Sequence, residues 1–383
     1  MIFLRITFAF LVLLLLPDIY IYKVYIRKLK SRIPKYLHWM PSIILLLLLL
    51  GFFFQHDRWQ QAFGIYLIVA LCIAIPKTIF TLVHLILSGI RKWFRLPRFD
   101  LFTAGILAIA SGIYILFGAI KGKEYFQIKK IDFYSSDLPQ GFDGYRILQL
   151  SDIHSGSWTG NGKALEKAIA LCNAQQADLA VFTGDLVNSR SRELTEFMPV
   201  LSKLHAKDGV YSVLGNHDYG TYVSWKNEAE RIANVDSLLM KENDMGWKML
   251  MNDHVILRKG NDSIALIGVE NSGNPPFPDK ADLKKAQQGT ANMFKVLLSH
   301  DPTHWRREVL PKSDIQLMLA GHTHDMQISL FGFSPARLIY HEHKGLYLEN
   351  ERGLYVNVGL GYVLFPMRLG AWPEITVITL KKK

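Results

Sequence analysis

Four long apolar stretches in the first third of the chain constrain its fold more than any other feature. They cover Ile2 to Ile21, Leu37 to Phe54, Ala62 to Ile90 and Leu101 to Ile120. A helix of about 20 apolar residues crosses the hydrocarbon core of a bilayer, and each stretch reaches that length with modest allowance. The first stretch lacks the small-residue cleavage site of a signal peptide. The sequence therefore predicts an α-helical membrane domain over residues 1–122, with about four transmembrane helices.

The third stretch is interrupted by Pro76 and Lys77, which leaves two interpretations open. It forms one long kinked span, or a short span followed by an interfacial helix from Thr78 to Ile90. A lysine at mid-depth in a bilayer is costly and is often functional. For Lys77 the more ordinary interpretation is that its ammonium group snorkels near a kink.

Charges in the connecting loops predict the orientation of this domain. The formal net charge of +11 lies in the first third, where 15 Lys and Arg residues stand against 4 Asp and Glu up to Glu124. The loop after the first stretch carries six basic residues, the next carries Arg58 with Asp57, and the third again carries four. If the basic loops face the cytoplasm, everything after Ile120 is extracytoplasmic, whereas an odd number of spans places it in the cytoplasm.

From about Phe126 onward, short strands alternate with amphipathic helices. The first half of this region contains the predicted strands Tyr145–Leu150, Leu179–Thr183 and Val210–Leu214 and the predicted helices Lys163–Ala174, Arg192–Leu204 and Trp225–Lys241. The second half is richer in predicted strands: Lys248–Met251, His254–Arg258, Ser263–Ile267, Phe294–Ser299, Ile315–Ala320, Met326–Leu330, Gly353–Val358 and Ile375–Leu380. This pattern predicts an α/β domain over residues 123–383, with two packed sheets and helices outside them.

Five of the predicted strands end in side chains that are typical of metal sites. These are Asp152 with His154, Asp185 after Gly184, the run Gly215, Asn216, His217 and Asp218, then His300, and finally Gly321, His322, Thr323 and His324. Each has an ordinary explanation alone, because Asp caps helices and a single His is often a hydrogen-bonded structural residue. Together, clusters of Asp, Asn and His at strand ends, with glycines for sharp turns, have little structural explanation.

The order DxH, GD, GNHD, H and GHTH resembles the calcineurin-like metallophosphoesterase superfamily, in particular its membrane-anchored bacterial phosphoesterase branch. The resemblance covers about Tyr145 to Leu380. It implies an αββα sandwich, in which two mixed β-sheets are flanked by helices, with a dinuclear metal centre at the strand ends. The ligands that it implies are Asp152, His154 and His324 for one metal, Asn216, His300 and His322 for the other, and Asp185 as the bridge. It also implies that His217 is the catalytic histidine.

General chemistry agrees with these roles. Two divalent ions about 3.5–4 Å apart lower the pKa of a bridging water, so that a metal-bridging hydroxide attacks phosphorus in line. His217 then stabilises the phosphoryl group or protonates the leaving oxygen, and we expect a carboxylate such as Asp218 to steer it. Mixed His, Asp and Asn ligation suits manganese, iron or zinc, and the sequence does not choose among these metals.

Substrate-binding residues carry a weaker signal. Arg190 and Arg192 follow the GD motif, and Arg368 lies in a C-terminal loop; guanidinium groups bind phosphate but are also often solvated or paired with structural carboxylates. Two apolar loops, Leu330–Tyr340 and Leu360–Pro366, are expected near the mouth of the site. If exposed, they form an apolar rim beside the membrane, while core packing is the alternative for most of their residues.

The sequence therefore predicts a membrane-anchored, metal-dependent phosphoric ester hydrolase, and a phosphodiesterase or pyrophosphatase rather than a phosphoprotein phosphatase. The expected partners are a phosphoester, including a lipid-linked one, and a bacterial inner or cell membrane that the chain crosses several times. No nucleic-acid binding is expected, because the excess positive charge lies in the membrane segments. The resemblance also implies an alternative, because some members of that branch hydrolyse UDP-diacylglucosamine in lipid A synthesis; this substrate requires a cytoplasmic active site.

Two rival classes of function remain open. In the first, the spans act as a transporter or sensor and the second domain is a non-catalytic metal-binding module, although the spans contain few polar residues beyond Asp18 and Lys77. In the second, the metal is structural, so that its removal unfolds the domain and no phosphoester is cleaved.

Overall fold

The computed structural model describes residues 2–54 and 60–383, with side chains from residue 11 to 52 and from residue 62 onward. The chain divides into two units, Met1–Lys121 with Leu364–Met367, and Gly122–Val363 with Arg368–Lys383. The first unit is helical and the second contains two mixed β-sheets. The predicted fold class, a helical N-terminal domain followed by an α/β domain with two sheets, is confirmed.

Four helices make up the N-terminal part of the first unit: α1 (Ile2–Val24), α2 (Ile33–Phe54), α3 (Gln60–Phe94) and α4 (Asp100–Ile120). Among the described residues, three segments are long and apolar enough to cross a membrane, namely Ile33–Phe52, Ala62–Phe94 and Asp100–Glu124. The total of about four spans stays a prediction. The charge-poor connection with Asp57 and Arg58 lies outside the described residues.

The third apolar stretch is one continuous helix. α3 runs through Pro76 without interruption and contains 35 residues. A helix of that length rises about 50 Å, which exceeds the thickness of a hydrocarbon core. The structure therefore favours the interpretation as one long helix over a short span followed by a separate interfacial helix.

Lys77 has an acidic partner inside the helical unit. Its Nζ atom lies 2.7 Å from Oδ1 of Asp18 in α1, whose side chain is fully buried. Ser42 in α2 donates a hydrogen bond to the other carboxylate oxygen of Asp18. The prediction that Lys77 snorkels is therefore wrong, because its charge is neutralised between helices.

The second unit contains twelve strands in two sheets. The strands are β1 (Gln127–Ser135), β2 (Arg146–Leu150), β3 (Leu179–Phe182), β4 (Val210–Ser212), β5 (Trp247–Met249), β6 (Asp253–Lys259), β7 (Asp262–Gly268), β8 (Phe294–Leu298), β9 (Leu317–Ala320), β10 (Gly345–Glu349), β11 (Arg352–Val356) and β12 (Glu374–Lys382). The first sheet has the order β1-β12-β2-β3-β4-β5 and the second has the order β10-β11-β9-β8-β7-β6. The neighbours β2 to β5 are parallel in the first sheet, and β7, β8, β9 and β11 are parallel in the second.

Both faces of the central strands are buried, which explains their continuous apolar sequences. Ile147 of β2 lies in the cluster between the two sheets together with Leu319 of β9, whereas Leu148 lies in the cluster on the outer face with Leu165 and Leu238. Successive strand side chains point to opposite faces, so neighbours in sequence enter different clusters. The outer face of the first sheet is covered by α5 (Gly162–Asn173), α6 (Met198–Leu201) and α7 (Glu228–Asp244). Two short helices, α8 (Leu283–Ala286) and α9 (Leu310–Lys312), lie on the second sheet.

Two predicted elements are wrong. The helix expected over Arg192–Leu204 is instead a 3-10 turn at Ser191–Leu194 followed by the four-residue α6. The strand expected over Met326–Leu330 is replaced by a 3-10 turn at His324–Gln327. In that turn Met326 and its neighbours have positive φ angles, which a strand does not permit. The strands β1 and β10 are not predicted from the sequence.

Candidate metal centre

The polar motifs of both sheets meet at the carboxyl ends of adjacent parallel strands. In the first sheet Asp152 follows β2, Asp185 follows β3 and Asn216 follows β4. In the second sheet His300 follows β8 and His322 follows β9. Because parallel neighbours end at the same edge, loops from both sheets bring these side chains together.

Gly215 and Gly321 permit this close approach. A Cβ atom on Gly215 would lie 2.2 Å from Oδ1 of Asp185, and one on Gly321 would lie 1.8 Å from Oγ of Ser151. Both distances are far shorter than van der Waals contact. A larger residue at either position would therefore displace a loop that carries a candidate ligand.

Asp152, His154 and His324 form the first cluster of candidate ligands, and all three are buried. Nε2 of His324 lies 3.1 Å from Oδ1 of Asp152 and 3.0 Å from Nε2 of His154. Two imidazole nitrogens and a carboxylate oxygen thus face one another with little access to water. A divalent cation satisfies such a group of lone pairs.

Asp185, His300 and His322 form the second cluster, and the side chain of Asn216 joins it. Oδ1 of Asn216 lies 3.1 Å from Nε2 of His300 and 2.8 Å from Nδ1 of His322. Nε2 of His300 is also 3.1 Å from Oδ2 of Asp185. The donor set is again oxygen and imidazole nitrogen, which suits a divalent transition metal.

Neighbouring groups determine which atoms face this second cluster. Nδ1 of His300 donates to a backbone carbonyl just beyond β3 at 2.7 Å, which leaves the Nε2 lone pair for the cluster. Nε2 of His322 lies 3.0 Å from the hydroxyl of Tyr340, which leaves Nδ1. The amide nitrogen of Asn216 donates to the hydroxyl of Tyr222 at 2.7 Å, so the amide oxygen points inward. Such outer contacts orient metal ligands and set their tautomers.

The carboxylate of Asp185 lies between the two clusters. Its Oδ2 atom is 3.1 Å from Nε2 of His300 in the second cluster and 3.7 Å from Nε2 of His154 in the first. Its Oδ1 atom accepts a hydrogen bond of 2.8 Å from the backbone N–H of His217. The structure thus brings all seven predicted ligands together, with Asp185 at the position of a bridge; their ligand roles stay a prediction.

Buried charges shift the pKa values of this centre. Burial by itself raises the pKa of Asp152 and Asp185, but the neighbouring histidines hold both well below the ordinary value. Burial by itself lowers the pKa of His300, but the carboxylates of Asp185 and Asp152 raise it to about 10. The carboxylates therefore stay ionised and attract positive charge, so the residues fit divalent metal ions.

His217, the predicted catalytic histidine, lies beside the first cluster and is half-buried. Its ring centroid is 4.8 Å from that of His154, and it stacks on Tyr222 at 4.1 Å. Nδ1 of His217 lies 2.7 Å from the carbonyl oxygen of Asn188. If Nδ1 donates that bond, Nε2 is the atom that can give or take a proton.

Asp218 is not placed to steer His217, contrary to expectation. Its carboxylate accepts hydrogen bonds from four backbone N–H groups, those of Asp185, Leu186, Val187 and Gly215. Burial and the nearby charge of Asp185 raise the pKa of Asp218 to about 7, against the opposing effect of these N–H groups. Asp218 therefore holds the loop that carries Asp185, and the carbonyl of Asn188 takes its expected place beside His217.

Arg368 is fully buried, which contradicts its predicted contact with substrate. Its guanidinium group donates to the carbonyl oxygens of Val358, Gly361 and Ala371 and lies 3.0 Å from Nδ1 of His324. Burial lowers the pKa of Arg368 to about 10. The residue joins three loop segments behind the first cluster, which is a positioning role.

The other two predicted substrate-binding arginines lie on the surface loop after β3. Arg190 is half-buried, stacks over the ring of Trp225 at 4.3 Å and donates to the carbonyl oxygen of Ser224. Arg192 is exposed. A phosphate contact for either residue remains a prediction.

The sequence did not single out Tyr222, Tyr340 or Phe277 as site residues. The first two contact candidate ligands through their hydroxyl groups, and the ring of Phe277 meets His322 edge-on at 4.9 Å. Tyr222 lies only four residues after the end of the GNHD motif, and this closeness in sequence could have identified it as a site residue. Tyr340 and Phe277 come from distant loops, so their approach depends on the path of the chain.

Comparisons with known proteins agree with this geometry. Residues 145–326 match the family model "Calcineurin-like phosphoesterase", and residues 4–123 match the model "Probable Calcineurin-like phosphoesterase, transmembrane domain". The metallophosphoesterase YkuE of Bacillus subtilis (strain 168) is 31% identical over 305 residues, which cover 76% of this chain and 97% of that protein.

Two further relatives differ in how much of them the chain covers. A metallophosphoesterase of Campylobacter jejuni, Cj0846, is 28% identical over the full length of both chains. A transmembrane protein with a metallophosphoesterase domain from Danio rerio is 29% identical over 72% of this chain, which spans 62% of that longer protein.

Proposed function

Since the chain belongs to the calcineurin-like metallophosphoesterase family, and is thus a membrane-associated metal-dependent hydrolase, we propose that it cleaves phosphodiesters or pyrophosphates at a dinuclear metal centre. The observation that carries the proposal is the position of Asp185, whose Oδ2 atom faces both clusters of candidate ligands. One carboxylate shared by two such clusters is suited to hold two ions close together. Manganese, iron and zinc all suit the donor set.

Different residues of the site would have different roles in the reaction. Two bound divalent ions supply charge neutralisation at the phosphoryl oxygens and a lowered pKa of bound water. Asn216 adds an oxygen ligand without adding negative charge, which keeps the centre attractive to an anionic substrate. Nε2 of His217 is available to hold a proton near the leaving oxygen, and its stack on Tyr222 fixes the plane of the ring.

The preference for diesters rests on the small number of cationic side chains arranged around the centre in the part of the chain that the structure describes. A phosphomonoester carries up to two negative charges, and enzymes commonly bind the second charge with arginine. Arg368 is committed to backbone carbonyls, and Arg190 is stacked on Trp225. A singly charged diester or a pyrophosphate linkage needs fewer such contacts.

Hydrolysis of bis-p-nitrophenyl phosphate by the full-length protein in detergent with added Mn²⁺ tests the proposal. Asp185→Ala and His217→Ala are expected to lower kcat/KM by roughly a hundredfold or more. The matched controls are Asp236→Ala and His205→Ala, which alter exposed residues of the same types. Full metal occupancy without turnover of this diester or of a monoester panel would contradict the proposal and favour a binding module.

We also propose that the catalytic domain is extracytoplasmic, because the basic loops alternate with a charge-poor one. A cysteine that replaces Leu348, an exposed residue of β10, shows in intact cells on which side of the membrane the catalytic domain lies. Labelling by a membrane-impermeant maleimide is expected without cell disruption. Labelling that requires lysis would place the domain in the cytoplasm. That outcome would contradict this proposal and favour the alternative of a nucleotide-linked lipid substrate on the cytoplasmic side.

A further inference from the structure

A short loop beside the metal centre exposes five large apolar side chains. Within the segment 330–339, which we call the apolar loop, the exposed fractions are 40% for Leu330, 108% for Phe331, 50% for Phe333, 77% for Leu338 and 66% for Ile339. Large apolar side chains that cluster on a surface mark a contact with another protein or with a membrane. The folded domain itself gives these side chains little to pack against.

The tip of the apolar loop is a tight turn with an unfavourable residue. Leu330 and Phe333 exchange backbone hydrogen bonds of 2.8 and 2.9 Å around Phe331 and Gly332. Both central residues have positive φ angles, +52° for Phe331 and +82° for Gly332. A glycine adopts this conformation freely, whereas a phenylalanine is strained in it and here gains no packing in return. Strain at an exposed aromatic residue indicates a functional reason for its presence.

The apolar loop is fastened to the metal centre by a residue within it and by the residue directly after it. Within the loop, Ser334 is fully buried, and its hydroxyl donates to the backbone oxygen of Asp325, the residue after His324, at 2.7 Å. Directly after the loop, the hydroxyl of Tyr340 lies 3.0 Å from Nε2 of His322. The loop therefore keeps a defined place at the edge of both clusters of candidate ligands.

The charge pattern of the loop suits a lipid surface. Arg337 is the one charged residue between Leu330 and Tyr340, and it is exposed. Aromatic and aliphatic side chains next to an arginine are typical of segments at the bilayer interface, where the cation meets phosphate groups and the apolar side chains enter the acyl region. The chain carries its own transmembrane domain, so a bilayer is present wherever the protein works.

We propose that the apolar loop inserts into the lipid surface beside the metal centre and thereby admits phosphoesters whose apolar tails stay in the bilayer. The insertion stands on the loop alone, while the substrate class rests on the proposed phosphohydrolase function. Phe331, Leu338 and Ile339 would contact lipid, and Arg337 would contact headgroup phosphate. Tyr340 would mark the boundary between the lipid surface and the metal centre.

Quenching of a site-specific fluorophore tests the insertion without requiring activity. The full-length protein carries Cys72→Ala, which removes the more accessible native cysteine, because Cys172 is buried. A bimane label is attached at Phe331→Cys or, in the matched control, at the exposed position Leu348→Cys. In nanodiscs of phosphatidylethanolamine and phosphatidylglycerol, brominated lipids are expected to quench the label at 331, and aqueous iodide the label at 348. Equal quenching of both labels by iodide, or a label at 331 that neither agent reaches, overturns the proposal.

Kinetics on two diesters test the substrate class. The variant Phe331→Ser/Leu338→Ser is compared with the control Met240→Ser/Leu348→Ser, which alters two exposed apolar residues elsewhere. For a diacylglycerol p-nitrophenyl phosphodiester in the nanodisc, the loop variant is expected to raise KM roughly tenfold or more. Its kcat/KM for soluble bis-p-nitrophenyl phosphate is expected to stay unchanged.

The outcomes separate this proposal from the proposed function. An equal loss on both diesters, or no loss on either, overturns the lipid-substrate role of the apolar loop. Absence of metal-dependent turnover of both diesters by the unmodified protein contradicts the phosphohydrolase function instead, and the quenching result still decides whether the loop enters the bilayer.

Discussion

Single hydroxyl groups set the orientation of candidate ligands in the second cluster. Tyr340 contacts Nε2 of His322, and Tyr222 accepts a hydrogen bond from the amide of Asn216. Burial raises the pKa of Tyr340 to about 12, so its hydroxyl stays protonated at all physiological pH values. Because such partners tune metal affinity without binding the metal, their loss should alter metal dependence before it alters folding.

We therefore expect Tyr340→Phe to weaken metal binding by roughly 10- to 100-fold while leaving the ring in place. The measurement is the Mn²⁺ concentration that gives half-maximal hydrolysis of bis-p-nitrophenyl phosphate, together with Tm. Tyr134→Phe, an exposed tyrosine of β1, is the control. A lower Tm with an unchanged Mn²⁺ requirement would show that Tyr340 is structural.

Glu242 is a buried acid in α7. Among the described residues neither of its carboxyl oxygens has a partner with hydrogen-bond geometry. Burial raises its pKa to about 8, although the nearby Ser212 hydroxyl acts in the other direction. The folded protein thus holds this proton more tightly than the unfolded chain does. The contribution of protonated Glu242 to the free energy of unfolding is fully present below pH 4.5, the ordinary pKa, and is lost as the pH rises towards 8.

Replacement of Glu242 by Gln should remove this pH dependence. The ionisable side chain costs the folded state on the order of 5 kcal/mol at most above pH 8. We expect the Tm of Glu242→Gln to exceed that of the parent protein more at pH 9 than at pH 5. Glu196→Gln, at an exposed position, is the control. Parallel Tm curves for parent and variant would mean that Glu242 is ionised or solvated.

At the scale of whole elements, charged groups join the helices of the membrane unit. Asp18 of α1 pairs with Lys77 of α3, and Ser42 of α2 donates to the same carboxylate. Removal of one partner leaves an uncompensated charge in an apolar environment, whereas removal of both leaves none. The cost of the single substitutions should therefore exceed the cost of the double one.

Asp18→Asn and Lys77→Met are each expected to destabilise the helices by roughly 3–5 kcal/mol, and the double variant by less. Thermal unfolding of the helical signal in detergent, with Lys92→Met as an exposed control, measures the difference. Additive losses in the double variant would show that the two residues act independently.

The sequence predicted elements well where periodicity decided them. The strands that precede Asp152, Asp185 and Asn216 lie within a few residues of their predicted bounds, because both sheet faces are buried and the runs are apolar. The segment Met326–Leu330 looked like a strand by composition. Its positive φ angles follow from the path of the loop around His324, which no local pattern encodes.

The candidate site was also predictable from the sequence only in part. The seven ligand positions follow motifs at strand ends, so their convergence was foreseeable. The burial of Arg368 and the pairing of Asp218 with backbone N–H groups were not, because Arg368 lies against His324, 44 residues earlier, and Asp218 reaches a loop 33 residues earlier. For the same reason Phe277 was not predicted as a site residue. Tyr340 was expected near the mouth only as part of the loop Leu330–Tyr340, without a contact to His322.

For the molecule as a whole, metal binding should stabilise the catalytic domain. Asp152 and Asp185 are buried carboxylates whose charges a bound metal ion would compensate. A metal at about 100 times its Kd adds about 2.7 kcal/mol, which corresponds to a rise in Tm of roughly 5–10 °C for a domain of this size.

Treatment with a chelator is thus expected to abolish turnover and to lower Tm, and Mn²⁺ or Zn²⁺ should restore both. Asp185→Asn should show a smaller rise in Tm on metal addition than the exposed control Asp236→Asn. Complete unfolding without metal would support a structural metal instead. An unchanged Tm in both states would contradict metal binding at this centre.

The candidate ligands lie between residues 152 and 324 and come from the ends of five strands in two sheets. Neither sheet alone supplies a complete cluster, because Asp152 and His154 need His324, and Asn216 and Asp185 need His300 and His322. Contacts this distant in sequence require the closure of long loops, which slows folding. Neither cluster is therefore complete in a nascent chain until residues 322 and 324 have emerged from the ribosome, so the membrane helices are synthesised before the metal centre can assemble.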